Sequence, residues 1–162
     1  KLHGLGERER LLLYIAALLG DCGKFISLEA SAEAAYSIIM ATEMIGLSHV
    51  EREIVANIVR YNKADFRYYE SIRKESNLDS DAYLIIAKLT AIFRTADGIC
   101  RSQRKKVMEV KPVLKDHLLT IEIKSDEDFS LEMGFFERKT RFFNEVFSTK
   151  VIIKHKKNAN YF

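Results

Sequence analysis

Apolar residues recur at helical spacing through the first hundred positions of the chain. Good helix formers fill residues 7–19 and stop at Gly20, so the pattern predicts a first helix, Glu7–Leu19, followed by a sharp turn at residues 21–23. Helical spacing resumes at Ala32, and a second helix is predicted from there to Ile45, where Gly46 would end it. The beginning of the chain is therefore expected to be helical.

Two later helices carry signals for their first residue. Ser48 and Glu51 have the spacing of a capping box, in which each side chain bonds the backbone N–H of the other residue. The helix that this box predicts keeps its apolar period up to Tyr61. Asp79 or Ser80 can cap a further helix, which is expected to be central, well buried and directed toward the basic residues after position 100.

The apolar period changes from 3.6 to about 2 after Gln103. Apolar and polar residues alternate irregularly over residues 107–113 and strictly over residues 119–124, which predicts two strands. Residues 115–117 between them are expected to form a hairpin loop, and residues 125–128 a solvated turn.

Helical spacing returns over Phe135–Phe147, and residues 151–153 give a last short strand. The predicted fold class is therefore mainly α with a small α+β lobe. We expect a helical body over residues 1–103, followed by a β-β-α-β segment over residues 104–162 that packs on it.

Composition limits the class of protein. The chain has 162 residues, of which 48% are hydrophobic and 30% are charged, as in an ordinary globular domain. No apolar run reaches the roughly 18 residues of a membrane span, so no membrane location is expected. Two cysteines favour a reducing cytoplasm over secretion. Since the chain opens on Lys1 without methionine, we expect it to be part of a longer protein.

The net charge of +3 conceals alternating blocks of charge. The balance is −2 over residues 1–100, +5 over residues 101–115, −6 over residues 116–137 and +6 over residues 138–157. The basic blocks are thus concentrated in the C-terminal third, a pattern that is compatible with a polyanionic partner.

Two aspartates are candidate metal ligands. Asp21 follows the first helix and Asp97 lies within another, and carboxylates from separate helices can converge on one hard cation. His49, at the start of the capped helix, could reach a neighbouring element. The alternative is structural: Asp21 caps a turn, and Asp97 pairs with Arg94 or Arg101 at helical spacing.

Cationic and aromatic side chains are interleaved between residues 60 and 74, and a tight basic run follows at residues 101–106. Such a surface can follow a phosphate chain, because each neutralised phosphate releases counterions. The alternative is a solvated face whose tyrosines fill the edge of the core. The candidate polyanion-binding residues are Arg60, Lys63, Arg101, Arg104, Lys105 and Lys106.

Several stretches, in order, resemble the C-terminal part of the exopolyphosphatase and guanosine pentaphosphate phosphatase family. They are residues 2–10, 46–54 and 95–102, and residues 136–147 are similar to the end of the long family members. Residues 18–26 look like the leucine-leucine-histidine-aspartate segment of HD-type helical domains. The resemblance implies an HD-like helical bundle.

Departures from the family pattern affect the expected chemistry. Members that hold a metal have histidine where Gly20 and Asn62 stand in this chain. The resemblance then implies that Asp21, Asp97 and His49 occupy vestigial HD positions, with no metal ligand and no catalytic residue in this domain. The family's hydrolytic centre lies in an N-terminal actin-like module, which these residues do not contain.

The resemblance therefore implies an accessory C-terminal domain of an exopolyphosphatase or guanosine pentaphosphate phosphohydrolase. It would help to bind polyphosphate or guanosine pentaphosphate, contribute to a homodimer and hold no cofactor, while the parent enzyme uses magnesium. Two alternatives remain open at this point. One is a metal-dependent HD nucleotide phosphohydrolase with Asp21, Asp97 and His49 around one ion, and the other is a structural dimerisation module built on helix Phe135–Phe147.

Overall fold

The computed structural model describes residues 2–73, 76, 78–100, 107, 109–126 and 128–156 of the chain. They fall into two compact units, Lys1–Phe93 and Arg94–Phe162. The elements in chain order are α1 (Glu7–Leu19), a 3₁₀ turn (Cys22–Phe25), α2 (Ser31–Ala41), α3 (His49–Lys63), α4 (Tyr69–Arg73), α5 (Ser80–Ile99), β1 (Glu109–Lys115), β2 (Leu118–Lys124), α6 (Ser130–Phe147) and β3 (Lys150–Lys156). The mainly α fold class with a small α+β lobe is confirmed.

The predicted boundary between residues 103 and 104 lies outside the described residues and stays a prediction. The two compact units meet in sequence within α5, between residues 93 and 94. No described helix is long and apolar enough to span a lipid bilayer.

Helix α3 packs against α1 and α2 in the first unit. Every residue from Glu53 to Val59 is buried, so this part of the helix is covered on all sides. The capping box that the sequence predicts is present, because Ser48 Oγ accepts from the Glu51 N–H at 3.2 Å and Glu51 Oε2 accepts from the Ser48 N–H at 2.8 Å. The start of α3 is therefore fixed by local sequence.

The 3₁₀ turn lies against the first turn of α2. Gly23 is buried there, and its backbone approaches α2 so closely that a side-chain β-carbon would lie 1.9 Å from the carbonyl oxygen of Ser31. Only glycine lets the two backbones come this near each other.

The predicted second helix is wrong at its C-terminal end. The helix stops at Ala41, and Thr42 adopts an extended conformation while its hydroxyl donates to the Ile38 carbonyl at 2.7 Å. Arg52 of α3 also donates to the Thr42 carbonyl at 3.0 Å, which holds the chain out of the helix. Ile45, predicted to be helical, lies fully exposed in the following loop.

Helix α4 is absent from the sequence prediction, because five residues with a single buried apolar side chain, Ile72, are too short to show a period. Aromatic contacts hold the segment around it. The Phe66 ring lies 4.9 Å from the ring of Tyr61 and 5.7 Å from that of Tyr83, which in turn lies 5.3 Å from Tyr69. Tyr61, Tyr69 and Tyr83 thus contribute to packing.

The second unit contains a three-stranded sheet in the order β1-β2-β3. Strands β1 and β2 are antiparallel, and β2 and β3 are parallel. The predicted hairpin loop is confirmed: Asp116 and His117 both have positive φ, 48° and 58°, as a two-residue turn matched to strand twist requires. Ile121, Ile123 and Val151 share one buried face of the sheet, and α6 packs against β3.

Glu51 also forms an ion pair with Arg8 of α1. We expect Glu51→Gln to reduce the free energy of unfolding by about 1 kcal/mol at pH 7, a modest loss because solvent partly screens this pair. The guanidinium of Arg8 and the N–H groups of the capping box lower the pKa of Glu51 from 4.5 to about 2. Because this folded-state pKa is lowered, the stabilisation is complete above about pH 4.5 and is lost as the pH falls toward 2. Urea unfolding of the parent protein and of Glu51→Gln between pH 7 and pH 2 measures this loss of stability.

Glu43→Gln, in the exposed loop before α3, is the matched control and should change the free energy of unfolding at pH 7 by no more than about 0.5 kcal/mol. A difference between Glu51→Gln and the parent protein that stays constant from pH 7 to pH 2 would contradict the assignment.

Candidate functional site

Asp21 lies at the end of α1, directly after Gly20, and precedes the first residue of the 3₁₀ turn. Its Oδ1 accepts from Lys63 Nζ at 2.8 Å, and its Oδ2 accepts from Lys24 Nζ at 2.8 Å. Lys63 Nζ also donates to the Gly20 carbonyl at 3.0 Å. Both carboxylate oxygens therefore face ammonium groups.

The two lysines favour the charged form of the aspartate. Hydrogen bonds from Lys24 and then Lys63 hold the pKa of Asp21 below its ordinary value. Two ammonium groups on one carboxylate leave a net positive charge at this corner of the first unit, and both lysine side chains are still partly exposed, 38% for Lys24 and 29% for Lys63. We call Asp21, Lys24 and Lys63 the lysine–aspartate triad.

Arg60, a candidate polyanion ligand, lies one turn before Lys63 on α3. Its Nε donates to Glu33 Oε1 of α2 at 2.7 Å. The guanidinium carbon lies 5.0 Å from the ring centre of Tyr36 and 5.7 Å from that of Tyr61, and only 17% of the side chain is exposed. Arg60 is therefore a half-buried ion-pair partner held by aromatic rings.

His49 is the first residue of α3, and its Nδ1 lies 3.0 Å from Arg52 Nη2. Lys63 of the lysine–aspartate triad is the last residue of the same helix. Fourteen helical steps separate His49 from Lys63, which corresponds to about 20 Å. The structure thus does not bring His49 and Asp21 together in the first unit.

Asp97 lies on the part of α5 that belongs to the second unit. Its Oδ2 accepts from Lys139 Nζ of α6 at 2.7 Å. Arg94, predicted as a partner by helical spacing, holds its guanidinium carbon 4.9 Å from the ring centre of Phe142. Both contacts link α5 to α6 within the second unit.

No group of three His, Cys, Asp or Glu side chains that could hold a metal ion is found within the part of the chain that the structure describes. Cys22 is half-buried, and burial raises the pKa of its thiol, which disfavours the nucleophilic thiolate.

Four of the six candidate polyanion ligands, Arg101, Arg104, Lys105 and Lys106, lie outside the described residues. Of the interleaved tyrosines, Tyr61 is buried at 1% exposure and Tyr68 is exposed. The five phenylalanines of α6 are each buried or half-buried, so they contribute to packing.

Sequence reasoning missed the residues that pair with the candidates. Lys24 could have been found, because it stands three residues after Asp21. Glu33 and Lys139 could not, because 27 residues separate Glu33 from Arg60 and 42 separate Lys139 from Asp97. Such contacts depend on how helices pack.

Comparison with known proteins identifies the family. Residues 2–139 match the family described as Ppx/GppA phosphatase, domain III. The match covers most of the chain, so the protein belongs to this family. A search of curated proteins found no match.

Proposed function

We propose that this chain is a non-catalytic accessory domain of an exopolyphosphatase-type enzyme, and that it binds polyphosphate for a separate N-terminal actin-like module. The lysine–aspartate triad carries the proposal, because two ammonium groups bind the carboxylate that would hold a metal ion if the resemblance of residues 18–26 to HD domains applied in full. Family membership supports the substrate class that we propose, a chain of phosphoanhydrides. By the same resemblance, the domain also contributes to a homodimer and works in the cytoplasm.

The donor set at the triad does not suit a metal. A cation would have to displace both lysines from Asp21, and an aspartate alone is a poor first shell for a hydrolytic ion. The same lysines suit an anion, since an ammonium group binds phosphate oxygens as a point charge. A bound phosphate would then replace the Asp21 carboxylate as the hydrogen-bond partner of the two lysines.

Arg60 extends this site along α3. Its guanidinium is oriented by Glu33 and by the ring of Tyr36, so a phosphate that replaced Glu33 would meet a preoriented donor fork. Arg60, Lys63 and the basic run at residues 101–106 are the residues to which we assign polyphosphate contacts. Their task is to hold the chain in place, while hydrolysis belongs to the catalytic module.

Four charge reversals in the basic run, R101E, R104E, K105E and K106E, should weaken the salt-sensitive retention of polyphosphate. Each lost phosphate contact lowers the slope of log affinity against log salt by about 0.7, so four contacts lower it by about 3. Anisotropy of an end-labelled polyphosphate, titrated with the whole chain between about 50 and about 200 mM salt, measures the slope.

The control variant reverses four exposed cations on helices instead, R10E, R73E, R138E and R141E, and so carries the same change in net charge. It should keep most of the slope. The proposal fails if the parent chain retains no polyphosphate, or if the control loses as much as the test variant.

A further inference from the structure

Strand pairing collects lysines from three separate stretches of sequence on one face of the sheet. Side chains alternate along a strand, and directly paired residues of neighbouring strands point to the same side. In the observed register, this face carries Glu109, Lys111, Val113 and Lys115 of β1, Leu118, Thr120, Glu122 and Lys124 of β2, and Lys150, Ile152, Lys154 and Lys156 of β3. We call these twelve residues the lysine face.

The lysine face is accessible and strongly basic. Six of its twelve residues are lysines, all six are exposed, and only two residues are acidic, which gives a net charge of +4. The opposite face of the sheet holds the buried residues Ile121, Ile123 and Val151. The pleat therefore separates a core side from a cationic side.

The charges on this face are close enough to interact. Lys111 and Lys154 stand on either side of Glu122 in the register, and Lys156 Nζ donates to Glu122 Oε2 at 2.9 Å. The hydrogen bond from Lys156 is the main reason why the pKa of Glu122 lies below its ordinary value, and the charges of Lys111 and Lys154 add to it. Three lysines thus lie close enough to the Glu122 carboxylate to stabilise its charged form.

The middle of the lysine face is uncharged. Val113, Thr120 and Ile152 lie opposite one another across the three strands, with lysines on both sides of this row. A groove of about 380 Å³ lies on the face, lined by residues of all three strands, among them Lys115 and Lys154, and by Asp116 of the hairpin turn. Neighbouring strands are about 4.8 Å apart and alternate residues about 6.7 Å apart, so the lysines span roughly 20 Å along the strands.

We propose that the lysine face is a second binding site for linear inorganic polyphosphate, separate from the lysine–aspartate triad. A phosphate chain carries charge at every link and needs only a row of cations, which this face supplies. Proteins that bind single-stranded nucleic acid on a sheet also stack bases on aromatic rings. None of the twelve residues of the face is aromatic, which favours polyphosphate over RNA. The proposal rests on the proposed function.

Part of the lysine face lies outside the residues that match the family. Lys150, Lys154 and Lys156 of β3 lie beyond residue 139, where the match ends. Together with Lys111 and Lys115, they form one surface only because β1 and β3 flank β2.

The test replaces three exposed lysines of the face, K111Q, K154Q and K156Q, in the whole chain. Loss of three phosphate contacts should lower the salt slope for end-labelled polyphosphate by about 2. It should also weaken binding at least tenfold at low salt. The matched control, R10Q, R73Q and R141Q, removes three exposed cations from helices and should change binding less than threefold.

A second variant acts in the opposite direction. Glu122→Gln removes the carboxylate that lies between Lys111 and Lys154, so polyphosphate should bind more tightly, by about threefold or more. Glu137→Gln, an exposed residue of α6, removes the same charge from outside the face and should have no such effect.

The outcomes separate this inference from the proposed function. If the parent chain binds no polyphosphate, both fail. If it binds, and the face variant and its control bind equally, only the lysine face is wrong. If a single-stranded RNA with the same number of phosphates displaces polyphosphate from the face at equal concentration, the face is an RNA site and the polyphosphate assignment is overturned.

Discussion

Replacing Gly23 with alanine is expected to lower the free energy of unfolding of the first unit by more than about 3 kcal/mol. The new β-carbon would lie 1.9 Å from the Ser31 carbonyl oxygen and 2.6 Å from the Ala35 nitrogen. Both are backbone atoms of α2, so no change of rotamer relieves the clash. The 3₁₀ turn and α2 would have to move apart.

Urea unfolding followed by circular dichroism measures this loss. Gly134→Ala is the matched control, because Gly134 lies inside α6 and a β-carbon there meets no atom within 4 Å. Alanine favours a helix interior over glycine by about 0.5–1 kcal/mol, so the control should gain stability. A Gly23→Ala protein as stable as its parent would contradict the close approach of the two backbones.

Replacing Ile86 with alanine should cost about 2–5 kcal/mol, the usual range for a large apolar side chain truncated in a core. Ile86 lies on α5, is fully buried and belongs to the main hydrophobic cluster of the first unit. Truncation removes methyl groups from a packed interior, and the cavity adds to the lost burial. The shift of the urea midpoint at constant slope gives the value.

Ile45→Ala makes the same chemical change at an exposed position in the loop before α3. It should alter stability by no more than about 0.5 kcal/mol. Equal losses in the two variants would mean that α5 does not carry the core of the first unit.

Local sequence signals predicted the start of several elements. The bounds of α1 agree with the prediction, and the capping box at Ser48 forms as the spacing indicates. Asp79 is the residue that caps α5, since its Oδ1 accepts from the Ala82 N–H at 2.8 Å. Each of these signals acts over three or four residues, so tertiary packing is not needed to find it.

The end of α2 was harder to predict because its cause is distant. The sequence favoured a helix up to Ile45, but Arg52 of α3 binds the Thr42 carbonyl and the chain leaves the helix four residues early. Helix ends depend on tertiary contacts as much as on local propensity.

The candidate site was predicted only in part. Asp21, Lys63 and Arg60 were found as charged residues of interest, but the sequence did not show that Lys63 and Lys24 bind the same carboxylate. Ion pairs between residues 27 and 42 positions apart form when helices pack, and no spacing rule along one helix finds them.

The sequence by itself determined the helical body, the strands and their alternation, because these follow from periods of 3.6 and 2 and from local caps. It also determined that the basic residues stand in separate blocks. Only the tertiary structure decided that lysines of β1, β2 and β3 share one face. The reason is register: a slip of one residue between paired strands would turn every side chain of one strand to the other side of the sheet.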